Sequence, residues 1–157
     1  MNEENEELKQ TELSTSDKLD VAFEKERKEI SAYIKENITD KMHSIDEIAN
    51  LQVHLLSQRQ RLVDKTNSLR ASIRKKNKSM ARIRKQKFRF YKLDYDVKLN
   101  DYEITRHIDA DVEDVVNMVK ILENQILYYK DTTDTLDKCT YMIKYLIDVK
   151  KFMSGSF

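Results

Sequence analysis

The chain has 157 residues with 29 Lys and Arg against 28 Asp and Glu, one Cys, one Gly and no Pro. That length holds one domain, and the near absence of Gly and Pro removes the punctuation that turns and sheets need, which leaves an all-α chain. With 39% hydrophobic and 36% charged residues, the balance is that of long amphipathic helices with narrow apolar seams, not of a thick globular core.

Residues 1–16 carry Glu3, Glu4, Glu6, Glu7 and Glu12 against Lys9 alone and read as an acidic flexible tail. The start MNEENEELKQ has neither the basic leader nor the apolar run of a signal peptide, so an intracellular protein is expected. No stretch approaches the about 18 consecutive apolar residues of a membrane span. Ser16 or Asp17 is placed to cap a first helix, with Leu19, Phe23, Ile30, Ile34 and Ile38 on its apolar side and a break near Asn37–Asp40.

From Ile45 the pattern becomes sevenfold. Ile48, Leu55, Leu62, Leu69, Lys76, Ile83 and Phe90 recur seven apart, a repeat that favours left-handed coiled packing in a helical hairpin. Polar residues at Gln52, Arg59, Thr66 and Lys87 weaken the seam, so this helix needs a second element to lean on. Within the same helix, from Asp64 to Asp94, stand twelve Lys and Arg residues and no acid between them. Arg70, Arg74, Lys78, Arg82, Lys85, Arg89 and Lys92 follow at steps of three or four and form one stripe. Like charges so spaced oppose the helix by about 0.2–0.5 kcal/mol per pair, so an anionic partner is expected over residues 65–93. A solvated face neutralised by acids elsewhere would explain four or five such residues, but twelve without an acid favour a polyanion. Phe88, Phe90 and Tyr91 lie among the cations, and single strands are held by cationic grooves with aromatic stacking platforms. Phe90 falls on the sevenfold seam and is assigned to the core, leaving Phe88 and Tyr91 as the stacking candidates.

Residues 98–111 read as a polar connector, after which Asp109 or Asp111 offers a cap for a C-terminal helix over 112–157. Val115, Val119, Leu122, Ile126, Tyr129, Leu136, Ile143 and Ile147 fall on a seam of three and four spacings. Val116, Leu127, Met142, Leu146 and Val149 widen the apolar face, which suggests packing on two neighbours and makes this the oligomerisation helix of a homo-oligomer. Catalysis finds no foothold: there is no Gly-rich phosphate loop, no nucleophile–His arrangement and no His/Cys cluster at metal spacing, so neither a cofactor nor a metal is expected. Cys139 reads as a small packed residue, and His43, His54 and His107 are scattered.

The order of KQKFRFYKLDY, the connector DYEITRHIDAD, the helix VEDVVNMVKILENQILYY and the closing MIKYLIDVKKFMSG resembles the UvsY recombination mediators of large tailed bacteriophages, over roughly the last 70 residues. The resemblance implies a ring-forming, non-enzymatic protein of the host cytoplasm. Such a protein binds single-stranded DNA and helps load a phage recombinase onto strands coated with single-strand-binding protein. It also implies DNA contacts by a Lys-x-Arg pair matching Lys87 and Arg89, with Lys85 or Lys92 as the alternative register. The competing reading from a different class is a coiled-coil scaffold whose basic tract pairs with acidic partner surfaces.

Overall fold

The computed structural model describes residues 14–41, 48–153 and 155, and these are helical nearly throughout, with no strand among them. Three helices follow in order: α1 (Thr15–Ile34), α2 (Ile48–Arg89) and α3 (Asp101–Met153). The all-α reading therefore holds. Two short π-helical turns, Lys35–Thr39 and Phe90–Asp94, close α1 and α2.

The start of α1 shows how local chemistry sets a boundary. Asp17 N–H donates to Ser14 Oγ at 3.2 Å, and Ser14 N–H donates back to Asp17 Oδ2 at 3.2 Å. Two of the donors that open every helix are satisfied by this reciprocal pair. The cap is thus Ser14, not Ser16 or Asp17, and Ser16 is a buried helical residue. Of the acidic tail expected over 1–16, residues 1–13 lie outside the described residues. At the other end Asp40 N–H bonds Lys35 O at 2.9 Å, and the helix stops within the Asn37–Asp40 interval where a break was expected.

Helix α3 corrects the sequence reading most. Asn100 and Glu103 form a reciprocal capping box, with Glu103 N–H donating to Asn100 Oδ1 at 3.0 Å and Asn100 N–H to Glu103 Oε2 at 2.8 Å. Residues 101–111, taken for connector, are therefore the first three turns of α3, and Asp109 and Asp111 stand inside the helix rather than at its cap.

Contacts divide the chain into two units. One holds α1 up to Ala22 together with Leu69–Asn124; the other holds Phe23–Ser68 and the chain from Gln125 onward. In the second unit the sevenfold residues Ile48, Leu55 and Leu62 are buried with Leu51, Ile30, Ile38, Tyr129, Leu136 and Ile143. Each such side chain contributes about 1.5–3 kcal/mol relative to exposure. A polar layer crosses this core. Arg27 Nε donates to the buried Gln125 Oε1 at 2.6 Å, Tyr129 Oη donates to Glu26 Oε2 at 2.7 Å, and Lys65 pairs with Glu26. Among the described residues no buried side-chain polar atom lacks a partner, so the layer specifies register without an orphan.

In the first unit α2 and α3 form an antiparallel pair. Ile104, Ile108, Val112 and Leu122 are buried, while Leu69, Ile73, Lys76, Met80 and Ile83 on α2 are only partly covered. Phe90, expected in the core, is 42% exposed and opens the π-helical turn at which the sevenfold seam ends.

Candidate nucleic-acid interface

The basic tract splits into two faces. On the face toward α3, Lys87 Nζ reaches Asp111 Oδ2 at 3.1 Å, Arg84 reaches Asp109 at 3.1 Å, and Lys92 reaches Asp101 at 3.3 Å. Lys76, on the seam, sets Nζ 3.2 Å from Met118 Sδ. The two lysines that interrupt the seam thus have internal partners, Lys76 the Met118 sulfur and Lys87 the Asp111 carboxylate, and the acids of the former connector answer Arg84, Lys87 and Lys92.

On the other face Arg70, Arg74, Lys78, Arg82, Lys85 and Arg89 are exposed, and none forms an ion pair with any of the described residues. From Arg70 to Arg89 the row spans about 28 Å at the helical rise of about 1.5 Å per residue. Six fixed cations along one line suit a flexible chain of phosphates better than a single anion. The stripe predicted from sequence therefore holds for six of its seven positions, and Lys92 leaves it to pair with Asp101.

At the end of the hairpin the aromatic residues sort differently from expectation. Tyr91 is not an open platform. Its ring stacks on His107 at 5.2 Å and 27°, and its hydroxyl donates to Asp111 Oδ2 at 2.9 Å. That hydrogen bond, with burial adding to it, raises the Tyr91 pKa above the usual phenol value. Burial disfavours the charged form of Asp111, but the hydrogen bonds from Tyr91 and Lys87 outweigh it, so its carboxyl lies below the usual carboxylate range. Phe88 and Phe90 are each 42% exposed. Lys92 Nζ lies 5.2 Å from the Phe88 ring centre and Lys87 Nζ 6.0 Å from that of Phe90, within cation–π range. Tyr95 packs edge-on against Phe90 and Tyr91 at 5.8 and 5.3 Å.

The residues expected to mediate oligomerisation are placed unevenly. Leu122, Tyr129, Leu136 and Ile143 are buried by the chain's own packing, and Val115, Val119, Ile126 and Ile147 are half-buried. The apolar side chains that α3 leaves in solvent are others: Tyr141 at 75%, Met142 at 56%, Tyr145 at 70% and Met153 at 81% exposure. Among the described residues no group of three His, Cys, Asp or Glu could hold a metal. Burial raises the Cys139 thiol pKa, which disfavours the thiolate a nucleophile needs. No described helix is long and apolar enough to cross a membrane.

Sequence reasoning missed Asp101, His107, Asp109 and Asp111 as partners of the basic helix within the same chain. The signal was present as the Asn100-x-x-Glu103 capping box, which places those acids on a helix and so beside α2. Comparison with family models, curated proteins and solved structures gave no match to this chain.

Proposed function

We propose that the protein is a non-enzymatic single-stranded-DNA-binding factor that acts as a recombination mediator. In this reading it works in the host cytoplasm and helps load a phage recombinase onto strands coated with single-strand-binding protein. The observation that carries the DNA-binding part is the row Arg70, Arg74, Lys78, Arg82, Lys85 and Arg89, exposed and without an ion pair to any described residue. The mediator part rests on the resemblance of the region from the basic helix to the closing segment. Self-association into a homo-oligomeric ring belongs to the same proposal, because several rows on one strand multiply a weak site without new contacts.

The test is fluorescence anisotropy of a labelled single-stranded oligonucleotide at several salt concentrations, with a duplex competitor. Phosphate contact by the row predicts a log–log salt slope of about −0.7 per phosphate neutralised, and Arg74→Ala with Arg82→Ala should shallow it by roughly 1.4. Absence of binding at low salt would overturn the reading.

A second reading has its own observation. Arg84, Lys87 and Lys92 already take carboxylates of α3, so the tract is competent to pair with acidic protein surfaces, as a scaffold would use it. In that case salt would change assembly and no oligonucleotide would bind.

A further inference from the structure

The row of cations ends at Arg89 between two exposed rings. Successive helical residues point about 100° apart, so Phe88 and Phe90 flank Arg89 on opposite sides. Both rings are 42% exposed, although burial of an aromatic ring is stabilising. The chain does not hide them. It fixes them instead, Phe88 under Lys92 and Phe90 under Lys87, with Phe90 held edge-on by Tyr91 at 5.2 Å and by Tyr95. The π-helical turn begins at Phe90, and such turns are rare departures concentrated at functional sites. Around the same end of the hairpin Leu93 is 76% exposed and Tyr102 71%.

We infer that Phe88 and Phe90 form a base-stacking clamp at Arg89, where the single strand held by the row has its bases drawn onto the two rings. This rests on the proposed DNA binding and assigns the choice between single and double strands to a defined pair of side chains. Phosphates are alike on single strands and duplexes, so the row alone discriminates weakly. An aromatic ring can take only a base face that is not already stacked in a helix. The occupant is a nucleic-acid strand because the rings adjoin six cations that form no ion pair with any described residue, and an apolar protein segment would leave those cations unanswered. Tyr91 is excluded from the clamp, since His107 covers its face and Asp111 holds its hydroxyl.

The experiment compares the full chain with Phe88→Ala/Phe90→Ala and with Phe88→Tyr/Phe90→Tyr. Anisotropy across salt concentrations is read beside the fluorescence of a 2-aminopurine-containing strand, which is quenched when the base stacks. The Ala pair should lose roughly 30-fold or more in affinity at every salt concentration with the salt slope unchanged, because stacking releases no counterions. Quenching should vanish in the Ala pair and persist in the Tyr pair. The preference for single strand over duplex should shrink in the Ala pair. If the wild type binds with a steep salt slope but neither quenches the probe nor weakens in the Ala pair, the strand is held by phosphates alone. The clamp then falls while DNA binding stands. If the wild type fails to bind at low salt, both fall together.

Discussion

Lys87 spans the hairpin to Asp111 at 3.1 Å, so a cation that the resemblance assigns to DNA is already answered within the chain. Both side chains are partly exposed, 40% for Lys87 and 26% for Asp111, and such a pair adds no more than about 1 kcal/mol to stability. Its larger effect is on binding, because a phosphate must displace a carboxylate to engage Lys87. Asp111→Asn is expected to raise single-strand affinity several-fold at low salt and to steepen the salt slope by about 0.7, one added phosphate contact. Thermal stability should change little. Anisotropy titrations at three salt concentrations check this, and an unaltered slope would mean that Lys87 stays with α3.

Tyr91 donates to the same carboxylate, and its pKa is raised for that reason and by burial. A raised phenol pKa means the folded state holds the proton more tightly than the unfolded state. Stability from this group is fully present below the ordinary phenol value of about 10 and is lost as pH rises through the folded value. An ultraviolet phenolate titration should show two tyrosines ionising late, Tyr91 and the buried Tyr129, and Asp111→Asn should move Tyr91 alone back toward the others. Asp111 behaves in the opposite sense. Its depressed pKa contributes stability above the usual carboxylate value of about 3.9, lost as pH falls through the folded one.

What the sequence made legible follows from which signals are local. The sevenfold spacing located Ile48, Leu55 and Leu62 in the core, and the acid-free tract located the exposed row, since both depend on helical period alone. The start of α3 was misplaced because four acids at Asp109, Asp111, Glu113 and Asp114 resemble a first turn, and the dipole argument ranks them above a single Asn. The actual partners of Asp109 and Asp111 are Arg84 and Lys87 on α2, which periodicity within one helix cannot reveal. Phe90 is misassigned for a related reason: a seam extrapolated at a constant period does not show where its burial ends. The wide apolar face of α3 was also visible, but not which part of it the chain covers itself.

That last point decides how core substitutions act. Leu136 and Ile143 are 1% and 0% exposed within a single chain. Leu136→Ala or Ile143→Ala should therefore cost about 2–5 kcal/mol of folding stability, read as a lowered urea midpoint with the slope retained. If these residues served only contacts between subunits, the midpoint would depend on protein concentration and the separated chain would keep its fold. A midpoint independent of concentration and shifted by this amount supports burial within the chain.

Self-association, if it uses α3, needs a different face from the one first expected. Tyr141, Met142, Tyr145, Val149 and Met153 fall within about 140° of one another on the helical wheel, counted at about 100° per residue. Leu136 and Ile143 lie well to the other side and are consumed internally. Tyr141 and Tyr145 are 75% and 70% exposed, and a large aromatic side chain offers about 150–250 Å² of surface to a partner. Met142→Glu with Tyr145→Glu places charge at the middle of this face without touching the core. The far-ultraviolet helical signal should be unchanged while the mass by light scattering falls to that of one chain, with strand affinity dropping through lost avidity. A wild-type protein that scatters as a single chain, or a variant that keeps the wild-type assembly mass, would remove this face from the account of assembly.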